Sequence, residues 1–338
     1  MPTHRQKRST DETTRCEPGS KMNPEKDALV IESLIDIGAN LSHESFAKDL
    51  NAALERAHLA QVHRIVITGA CEASSIEAAN IARRAPKRLF STAGVHPHHA
   101  NEWHARSDQA IERLIEGDEV VAIGETGLDF NRDFSPRAKQ EYAFEAQLEL
   151  AQSLGLPVFL HARDAFDRFI AILGQWRHRL SKAVIHCFTG NARELDACLD
   201  LDLHVGITGW ICDERRGLHL REIIDRIPED RLMIETDAPY LLPRDLDPAP
   251  DSRRNEPMHL PHILHRVAKS IQRPAAEVAR ATTGNAQDFF SLPELDPSEN
   301  LHPIRLDPIH PESSTPSPSQ SAARAPGDTR PHSGAPDR

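Results

Sequence analysis

The sequence predicts an α/β fold, a single (β/α)8 barrel of the TIM type, on three observations: eight short apolar runs, helical periodicity between them, and polar or charged residues where the runs end. The runs are "LIDIG" (34–38), "RIVITG" (64–69), "LFSTAG" (89–94), "VVAIGE" (120–125), "PVFLH" (157–161), "AVIHC" (183–187), "LHVGITG" (203–209) and "LMIETD" (232–237). Their nearly continuous apolar character is that of parallel strands covered on both faces, and eight is a number that closes. Between the fourth and fifth runs, Phe144, Leu148, Ala151 and Leu154 recur at helical spacing and place an apolar stripe on one helix face. A doubly wound open sheet is the competing fold. It is disfavoured because no GxGxxG follows the first run and no GxxxxGK[ST] occurs anywhere.

The ends of the chain differ from its middle. Residues 1–32 are polar and charged, and residues 293–338 hold 10 of the 25 prolines, so neither segment offers enough apolar surface to offset chain entropy. Both are expected to be disordered tails, leaving residues 33–292 as one barrel domain. The formal net charge of -11 argues against non-specific coating of nucleic acid, while leaving room for a local basic cleft. Cys16, Cys71, Cys187, Cys198 and Cys212 form no CxxC pair and are odd in number, as expected of reduced thiols in a cytoplasm. No apolar leader core, twin arginine or membrane-length apolar stretch occurs. The expectation is a soluble, unexported, cytoplasmic monomer with no membrane partner.

In such barrels the reactive groups stand at the C-terminal strand ends. Those ends carry Asp36, His96, Glu125, His161, His186 and Asp237. Imidazole and carboxylate donors converging from separate strands suit a divalent cation, and Glu125, His161, His186 and Asp237 are the four best placed. A cation in that setting lowers the pKa of bound water and polarises a phosphoryl or carbonyl oxygen, so hydrolysis is the expected chemistry. A single strand-end histidine is ordinarily a hydrogen-bonding surface group; four ligand types at four exits make the cation reading the stronger. His96 and His98, in "GVHPHHA", are either substrate-side groups or loop histidines, and Asp129 either orients a ligand or caps its loop.

Arg132, Arg163, Arg215, Arg216, Arg253 and Arg254 fall in the segments that follow strand ends. Guanidinium forks match phosphate geometry, and the bland alternative is ion pairing with neighbours such as Asp164 and Glu214. Arg132, Arg163, Arg215 and Arg253 are the candidate substrate-binding arginines, with Trp210 either stacking a base or filling core. Cys187, beside His186, should point to the opposite face and pack.

Taken together, "GVHPH", "IGETGLDF", "PVFLHARDA", "HCFTG", "GITGWICDERRG", "IETDAPYLLPRDL" and "RRNEP" resemble the TatD family of metal-dependent deoxyribonucleases over about residues 33–292. The resemblance implies a TIM-barrel hydrolase of the amidohydrolase type that cleaves phosphodiester bonds. For the branch it most resembles, it implies a 3′–5′ exonuclease preferring single-stranded DNA and RNA, with a place in DNA repair or nucleic-acid turnover. Carried over by position, Glu125, His161 and His186 are metal ligands and Asp237 is a ligand or the general base, so Glu125 and Asp237 are the catalytic pair. Many members begin with an Asp-x-His-x-His motif; the aligned positions here are Asp36, Gly38 and Asn40. The loss of two nitrogen donors favours Mg²⁺ over Mn²⁺ or Zn²⁺, because Asn40 offers only a neutral oxygen. The alternative function is a small-molecule amidohydrolase on the same barrel, since fold does not fix substrate.

Overall fold

The protein is described from a computed structural model that covers residues 33–296, 298 and 302–306. The sequence expectation for residues 1–32 lies outside the described residues, as does most of that for 293–338. Eight strands form one sheet in chain order: β1 (Leu34–Ala39), β2 (Val62–Ile67), β3 (Leu89–Ala93), β4 (Val120–Asp129), β5 (Val158–Arg163), β6 (Ala183–Ile185), β7 (His204–Ile207) and β8 (Leu232–Ile234). Every neighbouring pair is parallel, so each connection must cross back over the sheet. The crossings carry α1 (Leu50–Leu59), α2 (Glu72–Arg83), α3 (Ser107–Ile115), α4 (Arg137–Leu154), α5 (Phe166–Trp176), α6 (Ala192–Asp200) and α7 (Leu218–Ile223), and α8 (Leu260–Ser270) and α9 (Ala275–Phe289) follow β8.

Side-chain alternation divides the apolar residues into two cores. Leu34, Ile65, Ile67 and Val205 face the helices, where they join Leu54, Phe144 and Leu264. Ile35, Ile37, Val66, Phe90, Phe159 and Met233 belong to a second, inner cluster, to which the end of α9 contributes Phe289 and Phe290. The stripe expected on α4 is present in Phe144, Leu148 and Ala151, each fully buried, but Leu154 is 36% exposed. It occupies the last turn, where Gly155 in the left-handed region (φ 68°) ends the helix and turns the chain away. β4 extends to Asp129, so the "TGLD" segment read as loop is strand, paired through Gly127 with His161 and through Asp129 with Arg163. Gly127 has φ +146° and a Cβ there would lie 1.9 Å from the His161 carbonyl oxygen, so only glycine permits this approach.

Beyond the expected boundary at Leu292, Ile304 is 3% exposed within the outer core and Leu306 packs against it. Arg64 donates to the Pro293 carbonyl (2.6 Å) and Arg88 to that of His302 (3.3 Å). The packed chain thus continues past the point where the apolar periodicity stops.

β1 and β8 close the barrel with little ladder. One parallel bridge joins Ala39 to Ala238, flanked by bonds from Asn40 N–H to the Ala238 carbonyl (2.6 Å) and from Asp237 N–H to the Gly38 carbonyl (2.8 Å). Asp36 adds two bonds across the seam: fully buried, it accepts from Thr236 N–H (2.9 Å) and the Thr236 hydroxyl (2.5 Å), and it also takes Gly38 N–H (3.3 Å) within β1. Replacing Asp36 by Ala leaves those donors without their acceptor in a dry seam. The expected loss in unfolding free energy is about 3 kcal/mol, read as a lower midpoint in urea with the slope unchanged; an unchanged midpoint would show that Asp36 does not hold the seam.

Candidate metal centre

Three imidazoles converge on one oxygen. Glu125 Oε1 lies 2.7 Å from His186 Nε2, 2.8 Å from His161 Nδ1 and 3.4 Å from His96 Nε2. β4 supplies the carboxylate, β5 and the residue after β6 supply His161 and His186, and the turn after β3 supplies His96, so neighbouring strand ends fix the cluster. Glu125, His96 and His186 are all under 8% exposed. The three side chains of His96, Glu125 and His161 each present a ligand atom within 4.8 Å of the others. His96, expected on the substrate side, is therefore placed with the candidate ligands.

The donor chemistry fits a divalent cation. A carboxylate oxygen has two lone pairs, fewer than the three ring nitrogens that crowd it. His161 Nε2 is buried without a hydrogen-bond partner, 3.8 Å from Asp129 Oδ2. Burial favours a neutral Glu125, yet His186 and His96 outweigh it and hold the carboxyl well below its usual range. For His186, burial favours the neutral ring, and the Glu125 and Glu235 carboxylates overcome it and raise its pKa. A site of this kind holds cationic charge in a dry setting, as a divalent ion requires.

Asp237 follows β8 with its backbone in the left-handed region (φ 55°), a costly conformation held by its N–H bond to Gly38. Its Oδ1 accepts from Asn40 Nδ2 at 3.0 Å. Burial, aided by Glu125 and Glu235, pushes the Asp237 carboxyl up to about 7, against the pull of His186 and Asn40. Asn40 thus turns its amide N–H, and not its oxygen, toward the site.

Gly38 has a different partner. A Cβ on Gly38 would lie 2.3 Å from Glu235 Oε2, and one on Gly206 would lie 2.6 Å from Glu235 Oε1. Glu235 is fully buried, accepts the Cys187 N–H (2.5 Å), and stands 3.4 Å from His186 Nδ1. The absence of a side chain at Gly38 gives Glu235 its room. The sequence reading passed over Glu235, although its position two residues before Asp237 was a usable signal.

His98 Nε2 donates to Asp129 Oδ2 (2.8 Å) and the residue remains part-exposed, with Phe134 packed edge-on at 4.7 Å. Asp129 Oδ1 accepts the N–H groups of Asn131 and Arg132, both at 2.9 Å, so Asp129 sets the turn after β4 as well as the His98 ring. Burial opposes its ionisation, and His161 and His98 pull its pKa well down all the same. The expected arginines are not brought together. Arg132 is exposed just beyond β4 and Arg163 at the last position of β5, whereas Arg215 and Arg253 are exposed on the loops after β7 and β8. Arg254 is held by Asp49 (2.7 Å) and Glu256 (2.6 Å) over the Phe46 ring, a structural ion-pair network. Cys187, expected to pack away from the rim, is instead part-exposed with Sγ 3.8 Å from the Thr208 hydroxyl, and burial of the thiol with the Asp237 and Glu235 carboxylates nearby raises its pKa, which disfavours the thiolate.

Fold and site together define a barrel hydrolase whose rim is built for a divalent cation. A family model for TatD-related DNases matches residues 35–291. The chain is 53% identical over 260 residues to the 3′-5′ ssDNA/RNA exonuclease TatD of Erwinia billingiae, an alignment covering 77% of this chain and 100% of that one. It is 54% identical over 259 residues to the enzyme of the same name from Pantoea vagans, again with 77% and 100% coverage. The crystal structure of YJJV, a TatD homologue from Escherichia coli K12, superposes with a TM-score of 0.71 at 26% identity, covering 78% of this chain and 100% of that one. The chain belongs to the TatD-related DNase family.

Removing His161 or His186 as Ala should abolish Mn²⁺ binding by titration calorimetry and hydrolysis with it, while the circular dichroism spectrum persists, because a ligand is lost and not core. Wild-type affinity in both variants would refute the centre. Glu235→Gln should weaken Mn²⁺ binding roughly ten- to a hundredfold, since the amide no longer fixes the His186 ring as the carboxylate does; unchanged affinity would make Glu235 a packing group only.

Proposed function

We propose that this chain is a metal-dependent exonuclease that removes nucleotides from the 3′ end of single-stranded DNA and RNA, with Mg²⁺ as the working ion and Mn²⁺ or Zn²⁺ as substitutes, in a reducing cytoplasm. The observation that carries the reading is the convergence of His96, His161 and His186 on Glu125 Oε1, in a chain half identical to exonucleases of that name. The four described cysteines, Cys71, Cys187, Cys198 and Cys212, are free, which supports the reducing compartment. No described helix is long and apolar enough to cross a membrane.

Glu125, His96, His161 and His186 would hold the ion, with Asp237, after the end of β8, as the acid of the opposing strand end. The ion when bound supplies an acidified water and polarises a phosphoryl oxygen. Asp237 Oδ2, with Oδ1 occupied by Asn40, is the atom available to take the water's proton. Asp129 steadies His98, and exposed arginines on the surrounding loops attract the strand. An amide substrate would leave those arginines without a role, which sets the phosphodiester reading above the amidohydrolase alternative.

A strand that must present its end to a recessed site is cut from that end, and a stiff duplex cannot bend its scissile bond into the rim. End-labelled linear single strands, circular single strands and blunt duplexes should therefore be cut in that order, with the circle resistant and the label at the 3′ end released first. Circular strands cut as fast as linear ones would refute exonuclease action, and release of the 5′ label first would reverse the polarity.

A further inference from the structure

A second concavity lies on the same rim. It has a volume of about 480 Å³ and sits between the segment after β7 and the segment after β8. Gly209 and Leu241 form its inner edge; a Cβ on Gly209 would meet the Leu241 carbonyl at 2.2 Å, so the two segments are in contact there. Leu241 is four residues after Asp237, which the chain spans in at most ~14 Å. One edge of the cavity therefore lies within about 14 Å of Asp237 along the chain.

Its two walls differ in chemistry. Leu241, Leu242, Pro243 and Leu246 make one wall apolar. The other is organised by Asp213, whose carboxylate is 3% exposed and gathers Arg244 Nε at 3.0 Å and Arg216 Nε at 3.1 Å on the wall itself, with Arg215 Nε at 3.7 Å outside the lining. The Arg216 guanidinium lies 4.1 Å over the Trp210 ring, whose Nε1–H is bonded to the Arg216 carbonyl. Arg253 lies on the rim of the same cavity. One buried carboxylate cannot neutralise three guanidiniums, and a fourth adds to the excess. A strongly cationic wall on a chain of net charge -11 marks a place for an anion. The apolar wall facing it has the character that accepts the flat face of a base.

We propose that this cavity is a strand-holding subsite: it takes a nucleotide unit on the 5′ side of the scissile bond, phosphate toward Arg244 and Arg216, base toward Leu241 and Pro243. Asp213 is its positioning residue, fixing the guanidiniums so that their free N–H groups face the cavity. The assignment rests on the exonuclease reading, because only a polymer of nucleotides fills the metal centre and the cavity at once. It also explains Trp210: with one face covered by Arg216, the ring serves as a platform for the guanidinium.

The test measures binding and turnover separately. The anisotropy of a labelled eight-nucleotide single strand is titrated with protein in EDTA, and the same strand is used for steady-state kinetics with Mg²⁺. Arg244→Ala should raise the Kd and the KM about tenfold, corresponding to roughly 1.4 kcal/mol, with kcat little changed. The slope of log Kd against log salt should shrink by about 0.7, as expected for one lost phosphate contact on a single strand. Asp213→Asn should weaken binding comparably with all arginines present; if that variant does not fold, Arg253→Ala, at an exposed side chain, replaces it. Wild-type Kd and salt slope in Arg244→Ala would overturn the subsite, and so would a loss confined to kcat. Wild-type protein that binds the strand in an Arg244-dependent way but does not cut it would overturn the exonuclease reading and leave the subsite standing.

Discussion

The barrel depends on a seam in which one carboxylate takes a large part. Seven strand pairs carry parallel ladders, whereas β1 and the segment after β8 share one bridge, the two backbone bonds flanking it and the two bonds that Asp36 accepts from Thr236. The choice of an acid over an apolar residue has a cost, since burial pushes the Asp36 carboxyl up to about 7. Its return is geometric. Thr236 is adjacent to Asp237 and Gly38 is two residues from Asn40, so the seam sets the distance between Asp237 and the amide that holds it. It also fixes β8 against the strands bearing Glu125, His161 and His186. An open sheet with the same strands would keep the imidazole cluster and lose its facing acid.

The closed barrel then concentrates charge where water cannot screen it. Glu125, Glu235 and Asp237 repel one another through a dry interior, and His186 is the group all three share. Glu235 stands behind the ring, Glu125 in front of it, so the imidazole is fixed in both its plane and its protonation. That arrangement accounts for the first-strand motif without histidines. A side chain at position 38 would displace Glu235, and Asn40 serves Asp237. The change from histidine is a redistribution of roles around one imidazole, with the ligand cluster itself built on β4, β5 and the ends of β3 and β6.

The strands were legible because burial on two faces writes itself as an unbroken apolar run, and all eight runs became strands. Glu125, His161 and His186 were expected together because the C-terminal part of a barrel strand is a fixed address, and the structure brings their side chains to one oxygen. What failed was set by three-dimensional neighbours. His96 sits in a turn whose path no periodicity specifies, so its approach to Glu125 was invisible. Glu235 looked like part of a strand, and only the missing side chains of Gly38 and Gly206 reveal that its carboxylate points inward. The arginines were recognised as a class but not sorted, because Arg254 is neutralised by Asp49, two hundred residues away in sequence, while Arg244 is gathered by Asp213 across a loop. The packing of Ile304 had no local signal either, since one apolar residue among prolines has no period.

Charge placement completes the connection between fold and substrate. The formal net charge of -11 sets a general repulsion between this chain and a polyanion. Two acids at or beyond the strand ends, Asp213 and Asp129, are nearly inaccessible, while Arg132, Arg163, Arg215 and Arg244 reach solvent beside exposed acids such as Asp164 and Glu214. At Asp213 a buried carboxylate organises the Arg244 and Arg216 guanidiniums without cancelling both, so local positive charge stands on a chain that is anionic as a whole. A flexible single strand can bring its phosphates to that local charge, whereas the net charge opposes a polyanion laid broadly along the surface.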